Sequence, residues 1–192
     1  MAKRILLAGV LGGLALFLWG GLAHTVFGLG TVGIQNLPQQ QPVMDALKAS
    51  VSQSGFYFFP QPDAAMKLPP DKIGGPYGIM IYQAAGAGGA MTGQLIREFI
   101  LNIVLALLAA CLLALAPGVR SYASRVGFVA LLGLIVSLMI NVEYWNWFGF
   151  PLSYTIANMA VVFVGFLIIG LIAAALVKSP EPRMMAVAAQ AA

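Results

Sequence analysis

Four separate stretches of this sequence are apolar for long enough to cross a bilayer. They run from Ile5 to Phe27, from Leu95 to Ala116, from Val126 to Phe148 and from Leu152 to Val177. Crossing the hydrocarbon core takes about 20 residues of helix. Inside lipid a chain must satisfy its own backbone hydrogen bonds, so all four stretches read as transmembrane helices. The first also mimics a signal peptide, with "MAKR" before the apolar run and "GLA" at Gly21–Ala23. Its run is longer than the about 7–15 residues of a signal core, which favours a retained helix.

Composition narrows the class further. Hydrophobic residues make up 60% of the chain and charged residues 8%, against about 25% charged in an ordinary soluble domain. A soluble fold this poor in charge lacks the means to cover its surface. The net charge of +4 would suit a nucleic-acid partner, but the basic residues are scattered and form no run. They flank apolar segments instead, which is the pattern of membrane orientation, so no nucleic-acid partner is expected. Cys111 stands alone, which removes any intrachain disulfide and any paired-cysteine redox site.

The basic residues set the expected topology. Lys3 and Arg4 precede the first span, Arg120 and Arg125 flank the connection between the second and third, and Lys178 and Arg183 follow the fourth. Threaded in order, these six of ten Lys and Arg residues share one side. The positive-inside rule makes that side the cytoplasm, with both termini in it and the protein in the inner (plasma) membrane. The segment from Thr31 to Gly93 then lies outside, and its length calls for structure of its own.

Within that segment "PVMDALKASV" reads as a short amphipathic helix, with Pro42 in its first turn and Met44, Leu47 and Val51 on one face. "GFYFFP" and "YGIMIY" read as strands bounded by Gly and Pro, able to pair into a small sheet. The stretch between them is irregular, "QAAGAGGAMTG" is a glycine-rich return, and the tail after residue 178 is disordered or weakly helical. The expected fold is therefore all-α: a four-transmembrane-helix bundle with a small α/β extracytoplasmic cap between helices 1 and 2. Its parts are 1–30 (first span), 31–94 (cap), 95–178 (spans two to four) and 179–192 (cytoplasmic tail).

On the first helix Gly9, Gly13, Gly20 and His24 fall within about 60° of one another at 100° per residue. Gly9 and Gly13 form a small-xxx-small pair, so this stripe is expected to be the packing seam, with His24 inward at its outer end. His24 reads either as a structural donor or as a proton-handling, metal or haem ligand. A single histidine rules out two-histidine haem ligation within one chain, and metal-site spacings are absent. Arg97 and Glu98 sit at the outer mouth of the second helix, with Asn102 one turn below Glu98. Glu143, in "NVEYWNWFGFP", reaches the same level among belt aromatics, with Asn158 just below it on the fourth helix. Asn141 lies about 200° from Glu143 and faces elsewhere.

Ionisable groups in a span tend to face the bundle and pair. His24, Arg97, Glu98, Asn102, Glu143 and Asn158 are thus expected to form a polar cluster, with Glu143 beside Arg97 or His24. Tyr57, Phe58, Tyr144, Trp145, Trp147 and Tyr154 are the expected aromatics of an adjoining pocket. Such a cluster either pins the helices or binds the polar end of a lipid or quinone-like molecule at the outer leaflet. "GAGGAMTG" lacks the strand and lysine of a phosphate loop, and there is no serine elbow. The scattered outer methionines do not form a soft-metal site.

"FLWGGLAHTVFGLG", "GFYFFP" and "GPYGIMIY" resemble small four-helix bacterial inner-membrane proteins, a resemblance that brings no activity with it. The layout, with a large first outer loop and a tight second one, also resembles claudin-type proteins, although that family's paired loop cysteines are missing. The leading expectation is a non-enzymatic accessory subunit or binder of a lipid or lipophilic molecule, with membrane lipids and other membrane subunits as partners. No metal or cofactor is expected. The alternatives are a small enzyme or carrier moving protons through His24, Glu98 and Glu143, or a haem- or quinone-associated subunit of a respiratory or photosynthetic complex.

Overall fold

The computed structural model describes residues 1–60, 67, 76–84 and 90–177. Its four long helices are α1 (Ala2–Thr25), α3 (Ala90–Leu115), α4 (Tyr122–Phe148) and α5 (Leu152–Leu176). Each is long and apolar enough to cross a membrane. Between α1 and α3 lie a 3-10 turn (Leu29–Thr31), the short helix α2 (Gln40–Ser50) and two strands, β1 (Gly55–Phe59) and β2 (Gly78–Tyr82). The strands pair antiparallel, with Tyr57 opposite Met80. The irregular stretch expected between the strands, the glycine-rich return and the tail fall largely outside the described residues.

Local chemistry sets the boundaries. Ser121 caps α4 by accepting a hydrogen bond from the Ser124 amide at 3.0 Å, which answers one of the orphan donors of a first helical turn. The helix ends where Gly149 adopts φ +69°, a left-handed position that glycine takes without a Cβ penalty. Pro151 follows and opens α5. That tight turn folds α4 and α5 into an antiparallel hairpin, the most extensive helix pair in the molecule.

Helix α1 lies against both α3 and α5, whereas α3 and α4 meet only slightly. Small residues make the close contacts. A Cβ on Gly9 would lie 3.0 Å from the Leu107 backbone, and one on Gly12 would lie 3.1 Å from Ala106. A Cβ on Gly13 would overlap the Ile103 backbone. Across the other seam, Gly133 accommodates Phe166, and Gly170 sits against Val126 and Val129. With no hydrophobic drive between helices in lipid, such close backbone approach supplies the dispersion contacts that hold them.

The buried core collects at the end of the bundle that carries the N-terminus and the α3–α4 turn. Ala8, Ala106, Ala110, Leu113, Val129 and Ile169 belong to it. Arg125 is drawn into this end as well. It lies in the first turns of α4 rather than on the flanking loop, is 7% exposed, and leaves Nε and Nη2 without a hydrogen-bond partner among the described residues. A buried unsatisfied donor costs on the order of 1–3 kcal/mol. Arg125→Met is therefore expected to raise the thermal midpoint in detergent by about 2–4 °C, corresponding to about 1 kcal/mol in a chain of this size. A fall in the midpoint would show that the guanidinium is held by a group it needs.

Candidate functional site

At the cap end the four helices do not close. Between them lies a cavity of about 550 Å3. The α1 wall carries Leu16, Phe17, Trp19, Gly20, Gly21 and His24, with Thr25 at the rim. Helix α3 contributes Leu95, Glu98, Asn102 and Leu105, α4 contributes Val136, and α5 contributes Val161, Val162 and Phe166. The lining is chiefly apolar, with its polar groups on α1 and α3. This is the composition of a small-molecule site, where a few polar groups orient a ligand held by apolar walls.

The cavity exists because of what is missing at Gly20 and Gly21. A Cβ at either position would meet nothing within 4 Å. Gly20 was expected to continue the packing seam of Gly9 and Gly13, and here the expectation is corrected. The three glycines point the same way, but at the height of Gly20 the facing helix stands across the cavity rather than in contact.

One tie holds the cavity wall in place. The Trp19 indole Nε1–H donates across to the Val161 carbonyl of α5 at 2.9 Å. Above it, Gly30 of the 3-10 turn approaches the Cδ2 edge of the His24 ring, where a Cβ would overlap the imidazole, while His24 itself stays exposed. Gly33, at φ +78°, rests on Ser153 and Tyr154 at the start of α5. The turn therefore bridges the cap-side ends of α1 and α5.

Of the six residues read from sequence as one polar cluster, the structure brings three to this cavity: His24, Glu98 and Asn102. Arg97, Glu143 and Asn158 are not on its wall. Glu143 lies off the buried stripe of α4, which runs Arg125, Val129, Gly133, Ser137 and Asn141. Asn141 faces inward and Glu143 outward, as a difference of about 200° requires. The expected pairing of Glu143 with Arg97 or His24 does not occur, and no ion pair forms among the described residues. The physical reason is the neighbour relation of the helices, since α4 packs on α5 and not extensively on α1. Accordingly, His24→Ala and Glu143→Gln are expected to change stability additively, within about 0.5 kcal/mol, in a double-mutant cycle read by thermal unfolding.

The polar residues differ in how their hydrogen bonds are met. The Asn141 amide donates to the Ser137 carbonyl at 2.9 Å, and the Asn158 amide to the Tyr154 carbonyl at 3.0 Å. Both are satisfied within their own helices. Asn102 is 5% exposed and lines the cavity. Among the described residues its amide has no hydrogen-bond partner. No hydrogen bond joins any two of His24, Glu98 and Glu143 either. Among the described residues no three His, Cys, Asp or Glu side chains converge closely enough to hold a metal ion.

The aromatics expected to line a pocket do something else. Phe58 of β1 contacts Phe148 at the end of α4, with ring centroids 6.2 Å apart. The chain of rings continues from Phe148 to Tyr144, Phe150 and Tyr154. These rings dock the sheet on the α4–α5 turn. The Tyr57 hydroxyl donates to the Gln53 carbonyl, and Trp145 and Trp147 are exposed. None of the six expected aromatics is on the cavity wall, whose rings are Phe17, Trp19 and Phe166. The sequence signal for them was Trp19 followed by Gly20 and Gly21, a large ring beside an absent side chain, one turn below His24.

Comparison with protein-family models, curated proteins and solved structures finds no match.

Proposed function

We propose that this protein binds a lipophilic molecule, with the molecule's polar end at His24, Glu98 and Asn102 and its apolar part along Leu16, Leu105 and Val162. In this reading it is a non-enzymatic multi-pass protein of the inner membrane. The cap is extracytoplasmic and both termini are cytoplasmic, as the flanking lysines and arginines require. The cavity then lies at the level of the outer leaflet. Entry runs between α3 and α4, the neighbouring helices that touch least. Other membrane subunits are a further class of partner for the exposed faces of the bundle.

The observation that carries this reading is the unpartnered Asn102 amide. A network that served only to pin helices would join its members, and the Asn102 amide joins none of them among the described residues. Asn141 and Asn158 show how cheaply the fold satisfies an amide when the side chain has no other role. Asn102 is held open toward an apolar cavity instead.

The test is Asn102→Leu, which keeps asparagine's branched heavy-atom shape, is larger, and lacks its polar atoms. Wild-type protein taken from its own membrane in mild detergent is expected to carry a lipophilic mass in native mass spectrometry. The variant is expected to lose that mass while unfolding at a higher temperature than delipidated wild type. Retention of the bound molecule together with a lower midpoint would show that Asn102 is structural and would remove the proposal's support.

A further inference from the structure

The hydrogen-bonding sense of the cavity wall identifies the kind of head group it takes. His24 Nδ1 lies 2.9 Å from the Gly20 carbonyl oxygen. That oxygen has no proton to give, so Nδ1 carries the hydrogen and donates. In the neutral ring Nε2 is then bare and can only accept. The Thr25 hydroxyl donates its one proton to the Gly21 carbonyl at 2.7 Å, which leaves only lone pairs free. The Trp19 N–H is engaged by Val161. Glu98 offers carboxylate oxygens, which accept. Among the described residues no lysine or arginine is on the wall. Among the described residues of the wall the Asn102 amide alone retains free donors, and it has an acceptor oxygen beside them.

The wall is therefore rich in open acceptors and poor in open donors. A phosphate or carboxylate head would bring more acceptors and a negative charge to a wall whose one formal charge among the described residues is that of Glu98. Glu98 is exposed at the cavity mouth, where such like-charge opposition is partly screened and disfavours the anion modestly. An ammonium or hydroxyl head brings the donors that His24 Nε2, Thr25, Glu98 and Asn102 Oδ1 lack.

Building on the binding reading above, we infer that the cavity selects amphiphiles with a hydrogen-bond-donating head that is cationic or neutral, and rejects the same apolar chain ending in an anion. The cavity ranks an amine first, an alcohol second and a carboxylate last. Glu98 sets the interval between amine and carboxylate, and His24 serves as an acceptor for either donor.

The experiment uses full-length protein in an uncharged detergent and follows thermal unfolding during titration with dodecylamine, dodecanol or dodecanoate. These probes share one chain and differ in the head. Gly20→Leu plugs the cavity and measures what each amphiphile does elsewhere on the protein. Gly21→Leu provides an independent plug, because position 21 also has open space beside it. Dodecylamine and dodecanol are expected to raise the midpoint of the wild type but not of the plugged variants. Dodecanoate is expected to need at least about 10-fold more ligand for half-saturation, the ratio given by about one tenfold step of binding free energy. Glu98→Gln is expected to bring amine and carboxylate together while shifting dodecanol less than either. Plug-sensitive binding of dodecanoate as tight as that of dodecylamine would overturn the head-group inference and leave the binding reading standing. If no probe produces a plug-sensitive shift, the binding reading fails and this inference fails with it.

Discussion

Gly13→Leu is expected to lower the thermal midpoint of the protein in detergent by about 6–12 °C, equivalent to about 3 kcal/mol for a chain of this length. A Cβ at position 13 overlaps the Ile103 backbone, and the Ile103 amide nitrogen lies only 2.7 Å from it. Backbone cannot rotate away as a side-chain tip can, so α1 and α3 must move apart. Separating them also strips Gly9 from Leu107 and Gly12 from Ala106. Water does not restore the contact as it would for a soluble core, because lipid tails solvate the separated faces about as well as the helices solvate each other. The effect should therefore spread along the whole seam. Gly13→Ala already carries the clash and is expected to show about half the loss. A midpoint unchanged by Gly13→Leu would mean that α1 does not pack on α3 through this face.

That seam was legible in the sequence, and the reason is that helical periodicity reports direction well. Gly9 and Gly13 recur at four residues, so they share a face, and only close packing gives a span reason to keep that face small. The spans were legible because the bilayer fixes a minimum apolar length. Their ends were less so. Helix α3 begins at Ala90, several residues before the apolar run at Leu95, because Thr92, Gly93 and Gln94 are polar but helical. The strands were legible from their bounding glycines and prolines, since period-two patterning needs no knowledge of the rest of the fold.

Distance along a seam is a different matter. Gly20 points the way Gly13 does, and nothing in the spacing tells that α3 has diverged by that level. The same limit affected Glu143. Its height on α4 followed from the span, but its partners depend on which helices are neighbours, and connection order does not decide that. Once α4 pairs with α5, the inward stripe ends on Asn141, and a carboxylate two residues later faces outward. Asn102, Glu98 and His24 share the cavity because they lie on α1 and α3, the two helices joined by the glycine seam, whereas the sequence reads them only as part of a larger group with Arg97, Glu143 and Asn158. The ring residues of the cavity were not, because aromatic runs in the cap suggested a pocket where the structure uses them for docking the sheet.

Gly20→Leu should separate stability from binding more sharply than any other change in the molecule. Position 20 has nothing within 4 Å of where a Cβ would stand, so the new side chain enters open space. Removing a glycine from a helix interior favours the fold by about 0.5–1 kcal/mol, and an isobutyl group in an apolar cavity gains contacts with its walls. The ligand-free midpoint is therefore expected to rise by about 2–4 °C for each kcal/mol gained. Ligand binding should move the other way. The cavity is about 550 Å3, and the leucine occupies the part just below His24, where the apolar chain must pass to bring its head to Glu98 and Asn102. Overpacking of this kind costs about 1–3 kcal/mol, which is roughly a 10- to 100-fold loss of affinity. Gly20→Ala should give most of the stability gain with little of the binding loss, because a methyl group leaves the passage open. A leucine variant that lost both stability and binding would point to a helix contact at position 20, whereas one that gained stability and still bound would place the ligand outside this cavity.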